Sequence, residues 1–233
     1  MRLTLTILLL YPLLLAAQCF ASFETFAAAG ISGTPANFTA AGTSLRPVRA
    51  VRFGFGAGFA LSDRVFLRTA VQLSQYGDRF SSDGDGLRWG TQHDGLGGFD
   101  PDAPSGEIDV ASSELTSRHY YVEGLLAVRY LLRPRGRVRP FVEGGLALSG
   151  YSATKLTTSE DEWEYTRLNG FRSGTTVARV GGGTDVRLNK SFSFYAMPVF
   201  QYHLSSLNEA GQSLTRAWQG TVEIGLRVFV DPR

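Results

Sequence analysis

Arg49-Ala50-Val51-Arg52-Phe53-Gly54-Phe55-Gly56-Ala57-Gly58-Phe59-Ala60-Leu61 is the stretch whose pattern decides the fold. Val51, Phe53, Phe55, Ala57, Phe59 and Leu61 fall on one side of an extended chain, and Arg52, Gly54, Gly56, Gly58 and Ala60 on the other. A repeat of two residues is the period of a strand with one apolar face, because successive side chains point to opposite sides of the backbone. After a turn at Ser62-Asp63, Val65, Leu67, Val71 and Leu73 continue the apolar face against Arg68, Gln72 and Ser74. The two runs predict a hairpin.

The same alternation recurs outward from this hairpin. Strands are expected at about 118–132, 138–151, 174–188, 191–204 and 215–230, with a weaker one near 22–32. The short joins are Ser62-Asp63, Arg133-Pro134-Arg135-Gly136 and Asn189-Lys190. Eight strands, an even number, suit a closed up-and-down antiparallel barrel.

Alternation alone does not say which face is inside. The polar face mixes charged side chains with glycine: Gly54, Gly56 and Gly58 near Arg52, and Gly181 and Gly183 near Arg179, Asp185 and Arg187. Glycine gains nothing on a solvated strand, whereas it leaves room inside an eight-stranded barrel, which is only just wide enough for its own side chains. The polar face is therefore expected inside and the apolar face in lipid. The joins agree, with long ones near 33–48, 77–117, 152–173 and 205–214 alternating with the short turns. Short periplasmic turns and long extracellular loops characterise outer-membrane barrels, which would put both chain ends in the periplasm.

The chain opens with Arg2, an apolar run from Leu5 to Ala17, and Cys19-Phe20-Ala21, where a small-x-small site suits signal cleavage. Residues 1–21 are expected to be a signal peptide and 22–233 the barrel domain, with a cut after Ala17 as the alternative. Cys19 is the single cysteine. It raises a lipid anchor as a rival, although Gln18 stands where such a signal wants a small residue. If Cys19 leaves with the leader, thiolate chemistry and disulfides leave too. Past the leader no run of ~18 apolar residues exists to make a membrane helix. Charges nearly balance, at 23 Lys and Arg against 21 Asp and Glu, and no basic helix offers a nucleic-acid footprint.

Arg52, Arg68, Arg129, Arg179, Arg187 and Arg227 are expected to face Glu123, Glu143, Asp185 and Glu223 across the lumen. Buried charges persist when paired, so the bland reading is a polar plug and the functional one a selectivity ring. The loop near 77–117 is acidic, with Asp78, Asp83, Asp85, Asp94, Asp100, Asp102, Glu107, Asp109 and Glu114. Asp83-Gly84-Asp85-Gly86 offers oxygens to calcium but lacks the spacing of an EF-hand, so a solvated loop is expected. Glu160-Asp161-Glu162-Trp163-Glu164-Tyr165 reads as another exposed loop, which could meet cations bound to lipopolysaccharide, or a partner. Tyr76, Tyr120, Tyr130, Tyr151, Tyr202 and Trp218 suit interfacial belts. No phosphate-binding loop, dinucleotide fingerprint, zinc spacing or nucleophile elbow is present, so no cofactor or metal is expected.

Two resemblances add to this. His203-Leu204-Ser205 resembles the His-x-Ser pair of outer-membrane lipid A deacylases of the PagL type, which implies His203 as base and Ser205 as nucleophile, with Glu209 or Glu223 to orient the ring. Tyr121-Val122-Glu123-Gly124-Leu125-Leu126-Ala127-Val128-Arg129-Tyr130 resembles a strand of the PorT-like outer-membrane barrels common in Bacteroidetes. Arg139-Pro140-Phe141-Val142-Glu143-Gly144-Gly145-Leu146-Ala147 is similar to the strand that follows it there, and Tyr202 to Asn208 sits where that family has a comparable motif. Gly124 departs from the family's proline. The resemblance implies a barrel and, through one member group, an accessory role in type IX secretion.

The expected function is non-enzymatic and structural, interactive or secretion-accessory, with outer-membrane lipid, lipopolysaccharide and other envelope proteins as partners. A passive solute channel and a lipid A hydrolase using His203 and Ser205 are the alternatives.

Overall fold

The computed structural model describes residues 20–34, 43–82, 114–157, 173–206 and 216–230. Eight strands follow in chain order: β1 Phe20–Gly33, β2 Thr43–Ala60, β3 Val65–Ser82, β4 Glu114–Leu131, β5 Val138–Thr157, β6 Gly174–Arg187, β7 Phe192–His203 and β8 Trp218–Phe229. Each pairs with its sequence neighbour, and β1 closes on β8, giving an antiparallel barrel with no free edge. Closure leaves no row of unpaired backbone groups, the condition a sheet must meet to cross lipid.

Burial follows the pleat. On β4, Val122, Leu126, Val128 and Tyr130 face out and are exposed, while Tyr121, Glu123, Leu125, Ala127 and Arg129 face in and are buried. The outer wall carries Phe53, Phe55, Val71, Leu146, Leu148, Val180, Phe200 and Ile224, and the inner wall Arg52, Arg68, Glu143, Arg179 and Glu223. This inverts a water-soluble barrel. A wall of exposed Phe, Val and Leu around a charged interior is stable where the outer solvent is hydrocarbon.

Three tight turns join β2 to β3, β4 to β5 and β6 to β7, at the end where β1 begins and β8 finishes. In the first, the Ser62 hydroxyl accepts from Val65 N at 3.1 Å. In the third, the Asn189 carboxamide oxygen accepts from Ser191 N at 2.8 Å and Phe192 N at 2.9 Å. The second carries Gly136 with φ of 105°, a conformation that glycine adopts without a Cβ clash. All four long joins lie at the opposite end.

Several strands outrun the expectation at that end. β2 begins at Thr43 where about 49 was expected, β3 runs to Ser82 past 76, and β5 to Thr157 past 151. Eighteen residues at ~3.4 Å each, tilted ~40°, rise far above an apolar band ~25 Å tall. The extensions stand in water, so their outward residues, such as Arg46 and Arg49, carry no apolar period. At the other end β1 starts at Phe20, whose ring meets Phe23 and Phe59 edge-on. Residues 1–19 lie outside the described residues.

Some glycines let neighbouring backbones approach: a Cβ on Gly56 would sit 2.3 Å from Thr69 O, and one on Gly183 2.2 Å from Ala196 O. Others make room for interior rings, a Cβ on Gly225 meeting the Tyr195 ring at 2.5 Å and one on Gly54 the Phe26 ring at 2.7 Å. The tightest case is at the closing seam, where a Cβ on Gly30 would lie 2.0 Å from Gly220 O and 2.6 Å from Thr221 Cα. Gly30→Val is expected to cost at least the ~1–3 kcal/mol of overpacking a tight site. Gly124→Ala, with nothing within 4 Å of the new Cβ, should cost nothing by that mechanism. Urea unfolding of the two variants in lipid vesicles would compare them; equal midpoints would contradict a seam set by Gly30.

Candidate functional site

The lumen is filled in two layers. In the layer nearer the turns, Glu223 on β8 accepts from Arg52 at 3.0 Å and from Arg179 at 2.9 Å, and pairs with Arg68 at 3.0 Å. Glu143 on β5 accepts from Arg68 at 2.9 Å, Arg129 at 2.6 Å and Arg179 at 3.1 Å. Arg68 also pairs through its Nε with Glu24 and donates to the Tyr195 hydroxyl at 3.0 Å. Since β3 and β7 are four strands apart in a barrel of eight, the Arg68–Tyr195 bond crosses its diameter. Arg52 bonds the carboxamides of Gln201 on β7 and Gln219 on β8 and the Thr221 hydroxyl on β8. At the turn-side mouth Asp185 joins Arg139 at 2.9 Å and Arg227 at 2.6 Å.

Aromatic faces complete this layer. The Arg129 guanidinium lies 4.2 Å from the Phe141 ring centroid and 4.7 Å from that of Tyr195, and Arg68 lies 4.5 Å from that of Phe26. Cations in contact with π faces lose less on desolvation than cations against aliphatic walls.

The loop-side layer is built on neutral donors. The Glu123 carboxylate accepts from the Tyr76 hydroxyl at 2.9 Å, Ser74 at 2.7 Å, Ser149 at 3.1 Å and the Gln72 carboxamide. Among the described residues it makes no ion pair, which corrects its expected place in the charge network. Above it the rings of Tyr76, Tyr121, Tyr151 and His203 pack together, with Tyr76 and His203 centroids 4.7 Å apart. Tyr76 and Tyr151 are thus interior packing rather than belt residues. Tyr120, Tyr202 and Trp218 do face outward at this end, where Trp218 stacks on Phe200, and Tyr130 faces outward near the turns.

Arg187 also departs from the expectation. It forms no ion pair with the described residues, its Nε lacks a partner, and its guanidinium lies 5.3 Å from the Phe229 centroid at the mouth. Conversely Glu24, Arg139, Tyr195, Gln201 and Gln219 belong to the lumen and were not singled out from the sequence. The signal for Glu24 was a lone carboxylate among apolar and small residues in β1, with Ser22, Phe26 and Ala28 on its own face.

His203 and Ser205 share no hydrogen bond, each being bonded to β6 instead. β7 ends at His203, so Ser205 lies past the strand and leaves the inner face that strict alternation would give it. The Ser205 hydroxyl accepts from Thr176 N at 3.1 Å, and the His203 Nδ1 bonds the Thr175 hydroxyl at 3.1 Å. Glu223, expected to orient the ring, is held by three arginines in the other layer. His203 is wholly buried and packs on the rings of Tyr76 and Tyr121. Glu209, the acidic residues from Asp83 to Asp109 and those from Glu160 to Glu164 lie outside the described residues. Asp78 and Glu114, expected in a loop, instead fall on β3 and β4, where Asp78 accepts from Thr34 at 2.8 Å and Ser117 at 2.6 Å and Glu114 pairs with Arg79.

Several solved structures align with this chain at low identity. Neisserial surface protein A aligns at 14% identity over 88% of this chain and 96% of its own, with a TM-score of 0.46. OprG, an outer-membrane protein of Pseudomonas aeruginosa, aligns at 10% identity over 91% and 98%, with a TM-score of 0.42. The outer-membrane enzyme PagL aligns at 11% identity over 87% and 97%, with a TM-score of 0.35. The chain is an eight-stranded transmembrane β-barrel. No family description matches the chain, and no curated protein matches it. The barrel rests on this chain's own closed strand pairing and apolar outer wall.

Proposed function

We propose that this protein is a non-enzymatic bacterial outer-membrane barrel whose interior is closed and whose role is exercised through its long loops, on partners in the envelope or outside it. The observation that carries the reading is the set of side-chain bonds spanning the lumen, above all Arg68 to Glu24, Glu143, Tyr195 and Glu223. A channel needs a continuous polar path, and these bonds fill it with ion pairs whose rupture costs several kcal/mol. In planar bilayers the purified protein is expected to give no steady open-channel current. A reproducible single-channel level would overturn the closed interior and restore the solute channel.

With the short turns and both chain ends at one side, the outer-membrane arrangement puts that side in the periplasm and the long loops outside the cell. The segment 83–113 carries Asp83, Asp85, Asp94, Asp100, Asp102, Glu107 and Asp109 against Arg88, so cation-bridged lipopolysaccharide or a basic protein surface suits it as a partner. Deleting 84–112 is expected to leave the heat-dependent gel shift of a folded barrel intact while removing any binding to cells or envelope proteins. A variant that no longer gives the shift would make the loop part of the fold instead. The PorT-like resemblance of 121–147 gives this reading a narrower form, an accessory role in secretion.

A further inference from the structure

The turns carry an uneven charge. Leu61 to Arg64 holds Asp63 and Arg64, Leu132 to Arg137 holds Arg133, Arg135 and Arg137, and Leu188 to Ser191 holds Lys190; all of these charged residues are exposed. The five cations thus face one described acid, Asp63. Each turn is also flanked by exposed apolar side chains: Leu61, Leu132, Val138 and Leu188. Between the second and third turns lies a shallow concavity of about 310 Å³ lined by Gly136, Arg137, Arg187, Asn189 and Lys190. Arg187 N donates to Arg137 O at 2.8 Å and fixes the two sides together. No acidic side chain is among these lining residues. Directly above, on the outer wall, Val138 and Val186 are register partners beside Leu188.

We infer that this concavity binds the phosphate of an anionic phospholipid, with Arg137 and Lys190 on the headgroup and the acyl chains lying on Val138, Val186 and Leu188. A soluble phosphate would use the cations alone, whereas a phospholipid also uses the apolar wall that continues from them. Cations at the edge of the hydrocarbon keep their charged heads at headgroup level while their stems lie along apolar surface. The inference rests on the membrane reading above, in which this end stands in a phospholipid leaflet.

The test inserts the full chain into vesicles of phosphatidylcholine alone and of equimolar phosphatidylcholine and phosphatidylglycerol. Each sample is extracted in mild detergent, and the lipids retained on the protein are measured by native mass spectrometry. Phosphatidylglycerol should be enriched roughly 25-fold, since each of the two cations at an anionic lipid surface is worth about fivefold. The exposed pair R137Q/K190Q should lose most of that enrichment, and R46Q/R49Q, at the other edge of the barrel, should keep it. Equal retention of the two lipids, enrichment that survives R137Q/K190Q, or inorganic phosphate binding as tightly as the lipid would each overturn the site. Insertion from phosphatidylcholine alone, read by the gel shift, separates the two claims: a protein that inserts but shows no preference loses only this inference, and one that enters neither vesicle loses the membrane reading with it.

Discussion

Glu223→Gln is expected to destabilise the barrel by about 3–5 kcal/mol, the cost of leaving a buried partner charge uncompensated. The carboxylate is wholly buried and serves Arg52, Arg68 and Arg179, and it also accepts from the Tyr195 hydroxyl at 3.1 Å. Six arginines (52, 68, 129, 139, 179 and 227) share four acids, Glu24, Glu143, Asp185 and Glu223, and the other buried lumen carboxylate, Glu123, is held in the loop-side layer by Tyr76, Ser74, Ser149 and Gln72. Glutamine keeps the volume but presents an amide N–H towards guanidinium groups that have only donors to offer. Removing one of the cations as well, in Arg52→Gln with Glu223→Gln, should recover part of the loss, because the two sites are coupled. Glu114→Gln supplies the contrast: its pair with Arg79 is nearly half exposed, at 47% and 44%, and exposed pairs are worth ~0–1 kcal/mol. Urea titrations in vesicles, read by the mobility difference between folded and unfolded forms, would rank the variants. A Glu223→Gln midpoint close to that of Glu114→Gln would mean that the lumen is wetter and less tightly paired than its geometry implies.

How much of this was legible beforehand depended on which solvent each residue meets. Where a strand crosses hydrocarbon, the period of two is enforced on every outward side chain, and Val51 to Leu61 could be read directly. Above the band the outward positions are free, so the ends of β2, β3 and β5 carried no pattern and were read as loop. The inward charges were visible as charges, but their partners were not. Pairing across a barrel depends on register and shear, and nothing local tells Arg68 that it meets Tyr195 four strands away while Glu123 meets only neutral donors. Glu24 was missed because the small residues of β1 weaken its alternation. Ser205 was misplaced because strict alternation was carried past the point where β7 stops.

Leu126→Arg tests the outer wall as Glu223→Gln tests the inner one. Along β4 the outward positions run Tyr120, Val122, Gly124, Leu126, Val128, Tyr130 and Leu132, so Leu126 stands midway between the interfacial tyrosine at the loop end and the leucine at the turn. It is 54% exposed and has no charged group on the wall beside it to pair with a cation, since its register partners are Thr69 on β3 and Leu146 on β5 and both neighbours on its own face of β4 are apolar. At the midplane a cation costs ~2–4 kcal/mol, falling to ~0–1 near the interfaces. Leu126→Arg should therefore be expensive and Leu132→Arg, equally exposed at 54%, nearly free. Exposure is matched between the two sites, so any difference measures depth in hydrocarbon and nothing else about the fold. Equal costs would mean that the exposed Phe, Val and Leu wall is not solvated by lipid, and the inside-out reading of the barrel would fall with that result whatever the lumen contains.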